Sequence, residues 1–229
     1  MQISFPVQQG AQSLLSWFRG IGDRYLLLTG VQEENQRLKG ELSSLRAENN
    51  RLQEALLAEK RLEKLVPLQK QHSFSLVANV FARDPSSWFK TVLVDKGEED
   101  GVSKDMAVTV AEGLVGRVIE VFPNAAKVLL ITDPNSAVDV IIQRTRAQGI
   151  MEGRVEDFCI LKYVKKSDEV QVGDKVITSG LGGIFPKGLL AATLTKVERK
   201  RPGIFQYVEV MPTADLSRLE EVLILGEEP

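Results

Sequence analysis

A heptad repeat with two asparagines in its seam constrains this chain more than any other feature. Counted from Leu28, the a positions are Leu28, Asn35, Leu42, Asn49 and Leu56, and the d positions are Val31, Leu38, Leu45 and Leu52. An apolar period of about 3.5 residues is that of a coiled coil. The flanking charges give its direction. The g positions carry Glu34, Glu41 and Glu48, and the e positions carry Lys39 and Arg46. In a parallel, in-register dimer, Glu34 meets Lys39 of the second chain and Glu41 meets its Arg46. An antiparallel pair would set like charge against like charge. Asparagine at a with leucine at d also favours two parallel strands, and fixes register at a cost in stability. The expectation is a parallel homodimer through residues 28–56. The competing reading is a single long helix that lays its leucines on its own domain. That reading needs a wider apolar stripe and local partners for the asparagines.

The rest of the composition excludes several classes. A length of 229 residues suits one large domain, or two small ones and a helix. A net charge of −2 leaves no electrostatic footprint for nucleic acid. The short basic run Lys196, Arg199, Lys200 and Arg201 reads as a solvated hairpin tip. The single cysteine, Cys159, rules out an internal disulfide and lies in an apolar run, as a small core residue would. No run reaches the roughly eighteen apolar residues that span a bilayer. Within the first segment, 1–27, and running into Leu28, residues 14–28 are nonetheless notably apolar, with Leu14, Leu15, Trp17, Phe18, Ile21, Tyr25, Leu26, Leu27 and Leu28. Two readings stand together: a juxtamembrane segment with Trp17 and Phe18 at headgroup level, and an extension of the coiled coil, since Leu14 and Ile21 also fall at a.

The heptads fade after Leu56, where Glu59 and Glu63 enter the seam. The coiled-coil helix is expected over 28–66, with Pro67 ending it. Residues 69–73 read as a linker. The pattern then changes to short β-branched runs separated by turn residues. Strands are expected at 75–82, 88–94, 106–110, 114–122, 127–132, 137–143 and 147–155, then at 159–164, 175–179, 189–198, 205–212 and 221–225. Val110 to Leu114 reads as a tight hairpin, and 215–219 holds the one helical hint, a short capped turn. The fold class is mainly β: an N-terminal helical coiled coil followed by two small β-barrels or a sandwich. In chain order the split gives a first barrel at 74–155 and a second at 156–229, with strands free to cross between them.

Two small barrels raise the thought of a serine hydrolase, with Ser179 as nucleophile in a dimeric periplasmic enzyme. The only histidine, His72, precedes every strand, and no base is assigned to Ser179. One histidine and one cysteine do not make a zinc site. The glycines at 180, 182 and 183 lack the lysine and the helix of a phosphate loop. Gly180, Gly183 and Gly188 read as bends needing positive φ. No cofactor or metal is expected. A third class is a coiled-coil ligand receptor, which requires a closed apolar pocket in one barrel. For a binding role, Phe205 and Tyr207 are candidate partner anchors. They lie two apart on a strand after an exposed tip, and rigid aromatics dominate interface energetics. The alternative is that both fill the barrel core.

Several stretches occur together in order. They are Glu33 to Leu38, Val94–Asp95–Lys96–Gly97–Glu98–Glu99–Asp100–Gly101–Val102, and Gly113–Leu114–Val115–Gly116–Arg117–Val118. Ile131–Thr132–Asp133–Pro134–Asn135–Ser136 and Gly173–Asp174–Lys175–Val176–Ile177–Thr178–Ser179–Gly180 follow, the latter running on through Gly183–Ile184–Phe185–Pro186–Lys187–Gly188. In this order after a coiled coil, the chain resembles the bacterial rod shape-determining MreC family over essentially its whole length. The resemblance implies two barrels in a chymotrypsin-like arrangement without protease activity. It implies a periplasmic scaffold of the cell-elongation machinery, anchored in the cytoplasmic membrane by one N-terminal helix. The implied partners are the elongation-specific penicillin-binding transpeptidase, MreD, RodA and the RodZ/MreB complex. Filaments of dimers belong to the same expectation. The family's membrane helix is not found here, so the sequence reads as an extracytoplasmic fragment on a coiled-coil stalk of roughly 40 Å.

Overall fold

The computed structural model describes residues 7–69, 74–84, 89–199 and 202–226, with helix side chains described from residue 33 onward. Helix α1 spans Val7–Gln69. Twelve strands follow among the described residues: β1 (Phe74–Arg83), β2 (Thr91–Val94), β3 (Ala107–Val110), β4 (Gly113–Phe122), β5 (Ala125–Leu130) and β6 (Ala137–Ile142), then β7 (Gln148–Gly153), β8 (Cys159–Lys162), β9 (Lys175–Thr178), β10 (Leu190–Glu198), β11 (Tyr207–Pro212) and β12 (Glu221–Gly226). They close into two six-stranded antiparallel barrels, ordered β1-β12-β3-β4-β5-β2 and β10-β11-β8-β7-β6-β9. Small barrels need sharply bent strands, and register shifts within β1, β4 and β10 supply the bending.

The split of strands differs from the expected one. β6 and β7, placed by chain order in a first barrel ending at 155, lie in the second barrel. β12, the last strand, returns to close the first. Its register with β1, from Phe74↔Gly226 to Asn79↔Glu221, joins residues far apart in sequence. Nothing in a local alternation pattern encodes such a pairing. The burial does mark β12 as central: Val222, Leu223, Ile224 and Leu225 are all essentially inaccessible. A strand buried on both faces reads as a continuous apolar run rather than an alternating one.

The helix also outlasts its expected end. Pro67 lies inside α1, two residues before its end. A proline in the last turn removes one intrahelical bond rather than breaking a continuing ladder. Burial offsets that loss: Leu65 is 4% exposed and Leu68 packs against the same core. Arg61 adds ion pairs to Glu220 (2.7 Å) and Glu221 (2.6 Å), and Lys64 pairs with Glu112 at 3.2 Å. Leu65 and Leu68 therefore dock the helix end on the barrel core, and the helix runs on past Pro67. Of the expected linker, 70–73 lies outside the described residues, as do His72 and Trp88.

Two short turns are built by side-chain capture of the backbone. Glu98–Asp100 forms a short 3-10 turn, closed by Asp100 accepting from the Gly97 amide and by Gly101 at φ +87°. The stretch 215–219 is the expected short capped turn and does not extend into a helix: the Asp215 carboxylate accepts from both the amide and the hydroxyl of Ser217. Such side-chain capture of nearby backbone competes with helix. The hairpin between β3 and β4 turns through Ala111 and Glu112 as expected, with Val110 opposite Gly113. Gly113 lets the barrels meet: a Cβ there would lie 2.7 Å from the Leu190 carbonyl on β10.

Candidate functional site on the second barrel

The isolated bridge of Phe205 with Lys165 and the start of β11 at Tyr207 position the aromatic candidates by simple alternation. Phe205 is 38% exposed, Gln206 is 3%, Tyr207 is half-buried and Val208 is fully buried. Phe205 and Tyr207 thus point outward, and the reading that both fill the core does not hold. Gln206 is the inward residue. Its amide donates to the carbonyls of Lys165 (2.8 Å) and Asp168 (2.9 Å), pinning the loop after β8. Its side-chain oxygen has no partner among the described residues.

The loop pinned by Gln206 begins at Tyr163, which adopts φ +67° while 53% exposed. A bulky residue in the left-handed region carries strain that glycine or asparagine would avoid. The conformation sets its ring edge-on to Phe205, with centroids 5.6 Å apart and planes at 89°. That is the favoured geometry for an aromatic pair. The two rings form a ridge between two grooves. One groove, of 540 Å³, runs past Ile150, Leu181 and Ser179. The other, of 350 Å³, runs past Ile160, Pro202 and Tyr207. Leu181, which lines the first groove, is 74% exposed, and Ile204, next to Phe205 in the chain, is 72% exposed. The Lys196 ammonium lies 5.9 Å from the centre of the Tyr207 ring. Hydrogen bonds to Glu198 and Glu209 raise its pKa and keep it charged.

The other singled-out residues have structural surroundings. The Ser179 hydroxyl accepts from the Leu181 amide at 3.1 Å, a turn contact. Gly180, Gly183 and Gly188 have φ of +80°, +70° and +94°, as their bends require. Cys159 is buried with its thiol donating to the Ile131 carbonyl, and burial pushes its pKa up to about 12. Asp174 accepts two hydrogen bonds from Arg144 and one from the Gln171 amide, which hold its carboxyl below the usual range. No closed apolar pocket of the receptor type lies within either barrel among the described cavities, which are surface grooves and clefts.

The coiled-coil residues form the other candidate surface. Leu38, Leu42, Leu45, Leu52 and Leu56 are 48–58% exposed, and Asn35 and Asn49 are exposed too. The side chains of Leu28 and Val31 lie outside the described residues. An exposed stripe of leucines is the surface that the parallel-dimer reading requires. No helix among the described residues is long and apolar enough to cross a membrane.

Residues 80–226 match the family model of the rod shape-determining protein MreC, barrel core. The chain belongs to the MreC family. A cell shape-determining MreC from Listeria monocytogenes is 36% identical over 225 residues, covering 92% of this chain and 74% of that protein. A solved MreC structure superposes with a TM-score of 0.71 at 32% identity, covering 75% of this chain and 99% of its own. A complex between the penicillin-binding protein PBP2 and MreC from Helicobacter pylori shares the fold at a TM-score of 0.53 and 15% identity. In this MreC-family chain, Phe205 and Tyr207 were legible as aromatics sharing one face, with the choice between surface and core left open. Tyr163 was not: its signal is a backbone angle, which no side-chain pattern reports.

Proposed function

We propose that the chain is a dimeric scaffold of the cell-elongation machinery that organises and activates peptidoglycan synthases. The observation that carries the dimer is the uncovered leucine–asparagine stripe, an apolar seam whose g and e charges pair only in a parallel partner. A shape-determining family assignment and a relative solved with a penicillin-binding protein support the synthase as partner. On this reading MreD, RodA and RodZ/MreB complete the assembly. The barrels lie outside the cytoplasmic membrane, with 1–27 nearest to it, and dimers can join into filaments. Phe205 and Tyr207 are the anchors, with Tyr163 beside them, since exposed rigid aromatics bury large area at low entropy cost.

The test is binding of the purified chain to an elongation-specific penicillin-binding transpeptidase by surface plasmon resonance. Tyr207→Ala and Phe205→Ala should keep the melting temperature of the parent and lose binding about tenfold or more. Retained binding removes this face as the anchor. Peptidase or esterase activity abolished by Ser179→Ala would overturn the scaffold reading and establish the hydrolase instead.

A further inference from the structure

The barrels are joined by two chain crossings, 131–136 between β5 and β6 and 213–220 between β11 and β12. Beside them a cleft of 660 Å³ is lined from the first barrel by Arg83, Lys90 and Thr91, and from the second by Val155, Asp157 and Met211. One side chain crosses from barrel to barrel at its edge. The main chain of Lys90, just before β2, is held on both sides. Its amide donates to the Asp133 carboxylate at 2.7 Å, and its carbonyl accepts from the Leu130 amide at 2.9 Å. Asp133 is fully buried and also accepts from the Asn135 amide, so this anchor point belongs to the first crossing itself.

The Lys90 ammonium reaches the turn between β7 and β8. It donates to the Arg154 carbonyl (2.9 Å), the Val155 carbonyl (2.8 Å) and the Asp157 carboxylate (2.6 Å). An ammonium has three donors, and all three are used. The Lys90 side chain is only 14% exposed, while its carboxylate partner Asp157 faces solvent, so the two carbonyl contacts are the better protected of the three. The receiving turn is shaped for it: Asp157 adopts φ +65°, sparsely populated for a residue with a Cβ. Other bonds lie at the joint too: the Arg83 guanidinium donates to the Leu216 carbonyl on the second crossing, and the Thr213 amide donates to the Ala191 carbonyl. Lys90 differs in tying a turn of the second barrel through three bonds of one side chain.

We propose that Lys90 is the latch that fixes the angle between the two barrels, and that the adjoining cleft is the space through which the joint moves when the latch is released. A partner that touches both barrels would then select or disturb the latched angle. This inference is independent of which partner binds the aromatic ridge.

The test places spin labels on the full chain at Lys104→Cys and Val172→Cys, both exposed sites on different barrels. The buried Cys159 thiol, with its pKa near 12, leaves the labels on the introduced residues. The inter-barrel distance distribution is measured by double electron–electron resonance, with and without Lys90→Met, which keeps the apolar stem and removes the donors. The distribution should broaden about twofold. Amide exchange across 154–158 should quicken about tenfold while the cores of both barrels stay protected. Asp157→Asn, which suits the left-handed backbone, should shift both readings in the same direction by less. Unchanged width and unchanged exchange in Lys90→Met overturn the proposal. If that variant does not fold, unchanged readings in Asp157→Asn do the same.

Discussion

The helix from residue 33 to 57 and the paired barrels solve the same problem in opposite ways. Ile224, Leu223 and Leu194 lose essentially all contact with water inside their own chain, whereas Leu45 and Leu52 on the helix keep 56% and 58% of their surface exposed. Closing a sheet on itself satisfies its edges and buries its inner face without help. A narrow heptad stripe on one helix cannot do that, because its apolar seam is complete only when a second seam faces it. The barrels should therefore be stable at any dilution, and the helix only where chains meet.

Core substitutions in the barrels break the first half of the comparison with the largest effect. Ile224→Ala on β12 should cost about 3 kcal/mol, combining lost transfer energy with a cavity. Chemical denaturation at two protein concentrations should give the same loss. Leu45→Ala on the helix should cost about 2 kcal/mol, but only as weakened dimerisation. Sedimentation equilibrium should show the raised dissociation constant, while barrel melting stays that of the parent.

Charge within a barrel adds a pH signature. The Arg144 hydrogen bond and the Gln171 amide hold the Asp174 pKa below its ordinary value, and the side chain is 8% exposed. A depressed carboxyl stabilises the fold above about pH 4, its unfolded value, and that stability is lost as pH falls through the lower folded value. Asp174→Asn should lower stability by about 2 kcal/mol at neutral pH, and the gap to the parent should close below about pH 4. The smallest effect is expected from Gly183→Val. Its φ of +70° strains any side chain, although a Cβ there meets nothing within 4 Å. A loss of about 1 kcal/mol by thermal melting fits that balance. A variant as stable as the parent would remove the backbone argument at this bend.

The same contrast explains what could be read from the residues alone. The strands of 137–142 and 221–226 were legible because β-branched runs between turn residues are local signals. Their barrels were not, because β12 pairs with β1 across most of the chain. The heptad seam was legible because its period repeats. The helix end was misread at Pro67, since the burial of Leu65 that sustains it comes from the barrel. At the aromatic face, alternation indicated Phe205 and Tyr207, yet their outward direction was settled only by Gln206 turning in to bond the loop at 165–168. Tyr163 and Lys90 escaped for a related reason. One acts through a left-handed backbone angle and the other through acceptors more than sixty residues away.

The central claim is that this helix is completed by a second, parallel copy while the barrels stand alone. Oxidation of an Asn49→Cys variant of the full chain tests it directly, since the buried Cys159 does not compete. The account predicts rapid conversion to a single cross-linked dimer with unchanged barrel melting. No cross-linking of Asn49→Cys alone, with efficient trapping in mixtures of Asn35→Cys and Asn49→Cys chains, would show an antiparallel pair and contradict it.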